Sequence, residues 1–292
     1  MQHRPDPTRG RARTLRFIGH LLLSPDEYAA FVNDVYVDER AADDVHCLVV
    51  RLAGTDGSSD LPTPGSLPVA VLAIGDGFGE AGPDWADAVV GDADVDEIVG
   101  HVDAAPIAAA SLCVLLRAMP SLNVEDGLAA ESAVYSTLQA GPEFAAWRAG
   151  ASFAPVDDAG FTVVMERAGD EVTITLQRPL RHNAISARLR DELVDALRLP
   201  LVDASVARVV LRGAGPSFCS GGDLGEFGSR SDPASAHRVR LTRSPARSLA
   251  RLRERVTAQI HGATLGGGLE LAAFASRVVA HPDTRLGLPE LA

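Results

Sequence analysis

Apolar and polar positions divide the first half of the chain into short continuous runs and longer periodic stretches. Residues 45–52 and 68–74 (within LPVAVLAI, 67–74) are apolar almost throughout, as in strands buried on both faces, and a Gly/Ser/Pro-rich loop separates them. Ahead of them, Ser24-Pro25-Asp26-Glu27 predicts a helix start, with Ser as N-cap, Pro in the first turn and Glu placed for a capping box. Helical periodicity follows over 94–118 and 124–147, the latter with Leu128, Val134, Leu138 and Phe144 at near-helical spacing. Residues 149–159 (AGASFAPVDDA) are small, proline-containing and acidic, the best linker candidate. The expected organisation is an amino-terminal region over 1–150 and a second domain over 160–292.

In that second region the pattern sharpens. Phe161–Arg167, a turn at Ala168-Gly169-Asp170 and Glu171–Gln177 predict a hairpin, with Val172, Ile174 and Leu176 alternating against polar neighbours. Ser186–Leu199 reads as a helix with Leu189, Leu193 and Leu197 on one stripe. Arg208–Leu211 is a short strand that leads into a Gly/Ser loop at 213–222. Residues 241–256 predict a basic amphipathic helix, and a strand over 257–260 enters Gly262–Gly268. Strand and helix alternate, which argues for an α/β layered fold; the amino-terminal region reads as α/β or mainly helical.

Composition narrows the function. The 292 residues suit one large or two medium domains, and 46% hydrophobic with 23% charged residues excludes a wholly disordered chain. No apolar run approaches the ~18–20 residues of a membrane span, so no membrane role is expected. The net charge of −12 argues against nucleic acid as partner. It is uneven: residues 1–150 carry −14 and residues 151–292 carry +2, so the second part better suits an anionic ligand. Every basic residue is arginine, which excludes Schiff-base chemistry on lysine. Cys47, Cys113 and Cys219 lie far apart, fit neither a disulfide framework nor a metal site, and suggest a cytoplasmic protein. The basic start, from Arg4 to Arg16, reads as a frayed tail, because Leu21-Leu22-Leu23 is too short for a signal-peptide core.

Two kinds of glycine-rich segment compete for the chemistry. Gly77-Phe78-Gly79-Glu80-Ala81-Gly82 is a literal GxGxxG, but proline follows at once and no second strand ends in an acidic residue about 20 positions later. It reads as a turn. Phe218-Cys219-Ser220-Gly221-Gly222-Asp223-Leu224 and His261–Ala272 (HGATLGGGLELA) are strand-to-helix junctions whose backbone N–H groups no side chain shields. Two such N–H groups on one point make an oxyanion hole. Leu286-Gly287-Leu288-Pro289-Glu290 adds a second carboxylate 20 residues after Glu270.

These residues resemble the enoyl-CoA hydratase/isomerase (crotonase) superfamily. Its elements occur in order: RPxxxNA at Arg178–Ala184, the loop Phe218–Leu224, the GGGxELA helix start, and the LGxPE segment at 286–290. The resemblance covers roughly residues 160–292 and implies a crotonase-like core of repeated ββα units that binds an acyl-CoA. It implies that the amides of Gly222 and Gly267 hold the thioester oxygen, that Glu270 activates water, and that Glu290 exchanges a proton with the α-carbon. Arg181, Asn183 and Ala184 would meet the CoA, and Ser220, Gly221, Asp223, Leu224 and Gly266 would line the thioester site. No cofactor is expected beyond the CoA of the substrate, and no metal. The family implies a homo-oligomer, a trimer or hexamer.

Within that resemblance, hydration of a 2-enoyl-CoA leads. An enoyl-CoA isomerase, a cofactor-free arylacetyl-CoA oxygenase and a catalytically inactive scaffold remain as alternatives. His182 and His261 read as structural, Cys219 as a packing residue and Asp223 as a loop hydrogen-bond acceptor. The arginines between Arg238 and Arg255 read as a solvated helix face. Ser276 stands where the family commonly has aspartate, and Arg255 where it often has proline. Family members continue past the position of Ala292 through a glycine-rich turn and a helical tail that covers the site. Pro106–Arg117, Gly127–Tyr135 and Glu143-Phe144 resemble those tail helices, so helices from 94–147 are expected to cover the acyl site. The alternative is an unrelated accessory domain.

Overall fold

The computed structural model describes residues 19–37, 45–52, 60–75, 82–150, 160–229 and 232–289. The arginine-rich start, residues 77–81 of the GxGxxG segment, residues 151–159 of the linker candidate, and Glu290 lie outside the described residues. The chain forms two compact units, Met1–Ser121 and Leu122–Ala292.

In the first unit Ser24 caps α1 (Pro25–Val32). The Glu27 carboxylate accepts from the Ser24 amide at 2.8 Å and the Ser24 hydroxyl accepts from the Glu27 amide, the capping box expected. Strands β1 (His20–Leu23), β2 (Cys47–Arg51), β3 (Ala70–Ile74) and β4 (Ala88–Val90) form a parallel sheet in that order. Alternate side chains enter two cores. Leu48, Val50, Val71 and Ala73 join Tyr28 and Trp85 in one; Cys47, Val49, Ala70, Leu72 and Ile74 join Val99 in the other. A strand buried on both faces has no polar side, hence the continuous apolar runs. The helical stretch at 94–118 is broken into α2 (Val95–Ala104) and α3 (Pro106–Ala118), because Pro106 cannot donate to the preceding turn yet suits the first position of a new helix.

The second unit begins its core with a hairpin, β5 (Val163–Ala168) and β6 (Glu171–Leu176). Strands β7 (Arg208–Gly213), β8 (Val256–Ile260) and β10 (Arg277–Ala280) extend it in parallel, in the order β10-β8-β7-β6-β5. Leu189, Leu193 and Leu197 of α6 (Ala187–Val202) pack against Val172, Ile174, Leu211 and Ala258 in the main core. A smaller layer pairs β9 (Ala263–Leu265) with β11 (Arg285–Gly287), and single bridges join Cys219 to Thr264 and Ile185 to Gly222. Strands β6, β7, β8 and β10 are thus each followed by a short extended segment of the small layer and then, after β6, β7 and β8, by helix. The helices are α6; α7 (Pro233–Thr242) with α8 (Pro245–Leu252); and α9 (Gly267–Ala273). This is the repeated ββα core expected. The single basic helix predicted at 241–256 is divided instead, since Ser244 and Pro245 cap and start α8.

The units part at Ser121/Leu122 and not within 149–159. The stretch 124–147 folds as α4 (Val124–Gln139) and α5 (Pro142–Gly150), with the break at Gly141-Pro142, and both belong to the second unit. Polar anchors hold α4 on α7 and α8. Arg251 pairs with Glu125 at 2.6 Å, Ser132 Oγ lies 2.9 Å from His237 Nδ1, and Arg240 donates to Ser132 Oγ at 3.1 Å with its guanidinium 4.7 Å above the Tyr135 ring. Five of the seven arginines between Arg238 and Arg255 are therefore tethers, while Arg238 and Arg253 stay exposed as a solvated face would have them. Arg243 likewise grips Asp195 at 2.9 and 3.1 Å, and Arg255 donates to the Val206 and Pro200 carbonyls at 2.8 Å each.

Candidate active site

The segment before α6 sets the floor of the site. Asn183 is completely buried in a left-handed conformation (φ 55°). Its carbonyl oxygen accepts from the Arg178 amide at 2.7 Å, and its Nδ2 lies within hydrogen-bond distance of the Ala214, Ser217 and Phe218 carbonyls at 2.7–3.1 Å. Every polar atom of the side chain is thereby engaged, so Asn183 staples two loops together. Ala184 is also buried, and its carbonyl accepts from Arg178.

Arg178 leads to the second loop. Its guanidinium, buried with Asp223, donates to that carboxylate at 3.0 Å, while Arg181 lies 3.6 Å from the other Asp223 oxygen and stays partly exposed. Asp223 also accepts from the Gly225 amide at 3.1 Å, the acceptor role expected. Two buried charges that neutralise each other in this way fix the loop, since either alone would be strongly unfavourable there. Sequence reading quoted Arg178 in its motif without a role; the signal available was an arginine next to proline at the head of that motif.

The loop's backbone then leaves one amide out of its bridge to Ile185. Ile185 donates to the Gly221 carbonyl at 2.8 Å and accepts from the Asp223 amide at 3.1 Å, so the bridge uses the groups on either side of the Gly222 N–H. Ser220 donates to the His182 carbonyl at 2.9 Å. Gly221 sits at φ 93°, a conformation open to glycine, which reverses the strand's alternation at this point.

The second junction supplies its neighbour. Gly266 is occupied, donating to the Gly287 carbonyl at 2.9 Å, but Gly267 opens α9 with the orphan amide of a helix N-terminus. A methyl group built on Gly267 would lie 3.9 Å from the Gly222 nitrogen, and one on Gly221 would lie 3.4 Å from the Gly267 nitrogen. Gly222 and Gly267 thus stand side by side. A side chain on Gly222 would collide with the Phe227 ring at 2.7 Å, and Gly268 is pressed against the Cys219 carbonyl oxygen, so the close approach requires glycine. Leu224, partly exposed, follows on the rim.

Glu270 lies one turn along α9 from Gly267, and its residue remains solvent-exposed. Glu131 of α4 is its electrostatic neighbour. Burial pushes the Glu131 carboxyl above the usual carboxylate range, the Glu270 charge pushes it further, and Arg240 opposes both. Sequence reading placed Glu131 within a tail-like helix but gave it no part in the site. The histidines are structural as expected: His182 Nδ1 lies 2.9 Å from Ser217 Oγ, and His261 Nε2 lies 2.9 Å from the Gly215 carbonyl. Burial pushes the Cys219 thiol up to about 11, in keeping with a packing residue. Among the described residues no cluster of histidine, cysteine and carboxylate side chains could hold a metal ion.

Residues 168–292 match the family model described as Enoyl-CoA hydratase/isomerase. A protein of Bacillus subtilis named "Probable enoyl-CoA hydratase" is 36% identical over 110 residues, 37% of this chain and 43% of that protein. Mevalonyl-coenzyme A hydratase of Beauveria bassiana is 33% identical over 128 residues, covering 41% and 46%. The crystal structure of an enoyl-CoA hydratase/carnithine racemase from Magnetospirillum magneticum aligns with a TM-score of 0.41 at 31% identity, over 45% of this chain and 50% of that one. The chain spans about half the length of the curated relatives it matches.

Proposed function

We propose that the chain, whose residues 168–292 match the enoyl-CoA hydratase/isomerase family model, adds water across the double bond of a 2-enoyl-CoA thioester. The observation that carries this reading is the pairing of two glycine amides, Gly222 and Gly267, with a carboxylate one turn further along the same helix. Neither amide has a hydrogen-bond partner among the described residues.

In this mechanism the thioester oxygen accepts from both amides. Glu270 takes a proton from water as the water oxygen bonds to the β-carbon. The π electrons of the double bond move toward the carbonyl, and the oxygen gains the charge that the two N–H groups and the α9 N-terminus stabilise. Electron density returns to the α-carbon as it takes a proton from the second acid, the role assigned to Glu290. The product carries hydroxyl on the β-carbon and hydrogen on the α-carbon, and proton exchange with water resets the carboxyl groups. Arg181, partly exposed beside Asp223, offers a planar fork suited to a CoA phosphate.

Incubation with crotonyl-CoA tests the reading: hydration removes the absorbance of the conjugated thioester. Unchanged absorbance with crotonyl-CoA and rising absorbance with a 3-enoyl-CoA would assign the isomerase reaction instead. No change with either would leave the scaffold reading.

A further inference from the structure

Residues 45–54 (VHCLVVRLAG), which contain β2, match residues 206–215 (VARVVLRGAG), which contain β7, at five of ten positions. That alignment sets Leu48 on Val209. The pairing registers then align the neighbouring strands with no further choice. Leu48 pairs with Val71 and Val209 with Val256, so Val71-Leu72-Ala73 of β3 falls on Val256-Thr257-Ala258 of β8. Leu72 pairs with Ala88 and Thr257 with Arg277, so β4 falls on β10. There the sequences agree again: residues 86–94 (ADAVVGDAD) and 275–283 (ASRVVAHPD) are identical at four of nine positions. On the other side Cys47 pairs with His20 and Arg208 with Glu171, which sets β1 on β6.

A slip of one residue at any of these three interfaces would turn the matched side chains to opposite faces. None occurs. Leu48, Val50, Val71 and Ala73 share one core with Tyr28 of α1, and their counterparts Val209, Leu211, Val256 and Ala258 share one with Leu193 of α6. The residues just before β4 and β10 reach the same place. Asp87 accepts from the Val71 amide at 2.7 Å, and Ser276 donates to the Val256 carbonyl at 3.3 Å. What the first unit does not repeat is the site. Residues 52–69 join β2 to β3, where 214–255 join β7 to β8 and hold Gly222, α7 and α8. Residues 75–87 join β3 to β4, and no counterpart of α9, the helix of Gly267 and Glu270, lies there among the described residues. Asp87 is spent on structure instead: it pairs with Arg117 of α3 at 2.5 and 2.8 Å, and Arg117 also donates to the Leu67 and Val69 carbonyls at 2.8 Å each.

We propose that residues 20–90 are an internal repeat of the framework at 171–280, a non-catalytic copy that keeps the sheet and lacks both amide-bearing junctions. The chain then has two frameworks and one acyl-CoA site. The count of sites rests on the hydratase reading; the repeat does not.

The test uses the whole chain. Adjacent strands lie about 4.7–4.9 Å apart, within reach of a disulfide. Cysteine pairs are placed at equivalent positions of each copy: Ala73→Cys with Val89→Cys, and Ala258→Cys with Val278→Cys. Slipped pairs move the second substitution by one residue, to Ala88→Cys and Arg277→Cys. Linked peptides are read by mass spectrometry after mild oxidation. Both matched pairs should link, and neither slipped pair, whose side chains leave opposite faces of the sheet. Any other pattern in either unit overturns the repeat. Calorimetric titration with butyryl-CoA, which has no double bond to hydrate, should show one site per chain. Amide hydrogen exchange should slow on binding at 217–228 and 262–271 and stay unchanged at 45–52 and 70–75. Two sites per chain, or slowing in the first unit, overturns its non-catalytic assignment. No binding removes the hydratase reading alone, because the disulfide result does not depend on it.

Discussion

Glu270→Gln keeps the size of the side chain and removes its ability to take a proton. Hydration should fall by at least ~10²-fold, while acyl-CoA binding measured calorimetrically survives, since the side chain holds no part of the CoA. Gly222 and Gly267 act through their backbones, so the informative change is loss of the N–H. Proline at Gly267, the first position of α9, should cost roughly 2.7–4 kcal/mol of transition-state stabilisation with the fold retained, read from kcat/KM beside a circular dichroism spectrum. Cys219 gives a test by pH. Its thiol titrates near 9 when exposed and near 11 in the fold. Below the lower value both states hold the proton and the contribution is constant. As pH rises from 9 toward 11 the unfolded chain releases the proton first, so native stability falls over that window. Urea midpoints measured between pH 8 and 11 should decline, and a Cys219→Ala variant should decline less.

At the scale of elements, the loop from Phe218 to Leu224 depends on one buried ion pair. Asp223→Asn removes the carboxylate charge that faces the buried Arg178 guanidinium, and breaking a buried pair typically costs about 3–5 kcal/mol. Thermal unfolding should show that loss, and crotonyl-CoA turnover should drop with it, because Gly222 loses its anchor. A drop in turnover at unchanged melting temperature would mean that Asp223 touches the substrate and is not only a brace. Prolines act at the same scale. Pro106, Pro142 and Pro245 each open a helix where the hydrophobic period alone reads on without interruption.

The whole molecule is organised by a boundary at Ser121/Leu122, which assigns α4 and α5 to the unit that holds the candidate site. A chain beginning near Gly160 would uncover the face of α7 and α8 and leave Arg240 and Arg251 without Ser132, Tyr135 and Glu125. It should aggregate or lose activity, and residues 1–155 added in trans should restore part of it. A monodisperse, fully active 160–292 fragment by light scattering and crotonyl-CoA assay would contradict the packing described here.

The sequence by itself determined the local structure: the β5–β6 hairpin, the leucine stripe of α6, the Ser24 capping box and the two doubly buried strands near residues 47 and 70. Each follows from residues within a few positions of one another, through backbone conformation and the period of burial. The motif resemblance also pointed to Gly222, Gly267 and Glu270 as candidate site residues. Only the tertiary structure decided which distant groups meet. Asn183 turned inward as a staple because three carbonyls from a loop more than thirty residues away converge on it. Arg240, Arg243, Arg251 and Arg255 became tethers because their acceptors come from α4 and α6 and from a loop carbonyl. A charged residue has the same local pattern whether it faces water or a partner; the choice is made by long-range packing, where the cost of burying an unpaired charge selects the arrangement that supplies its counterpart.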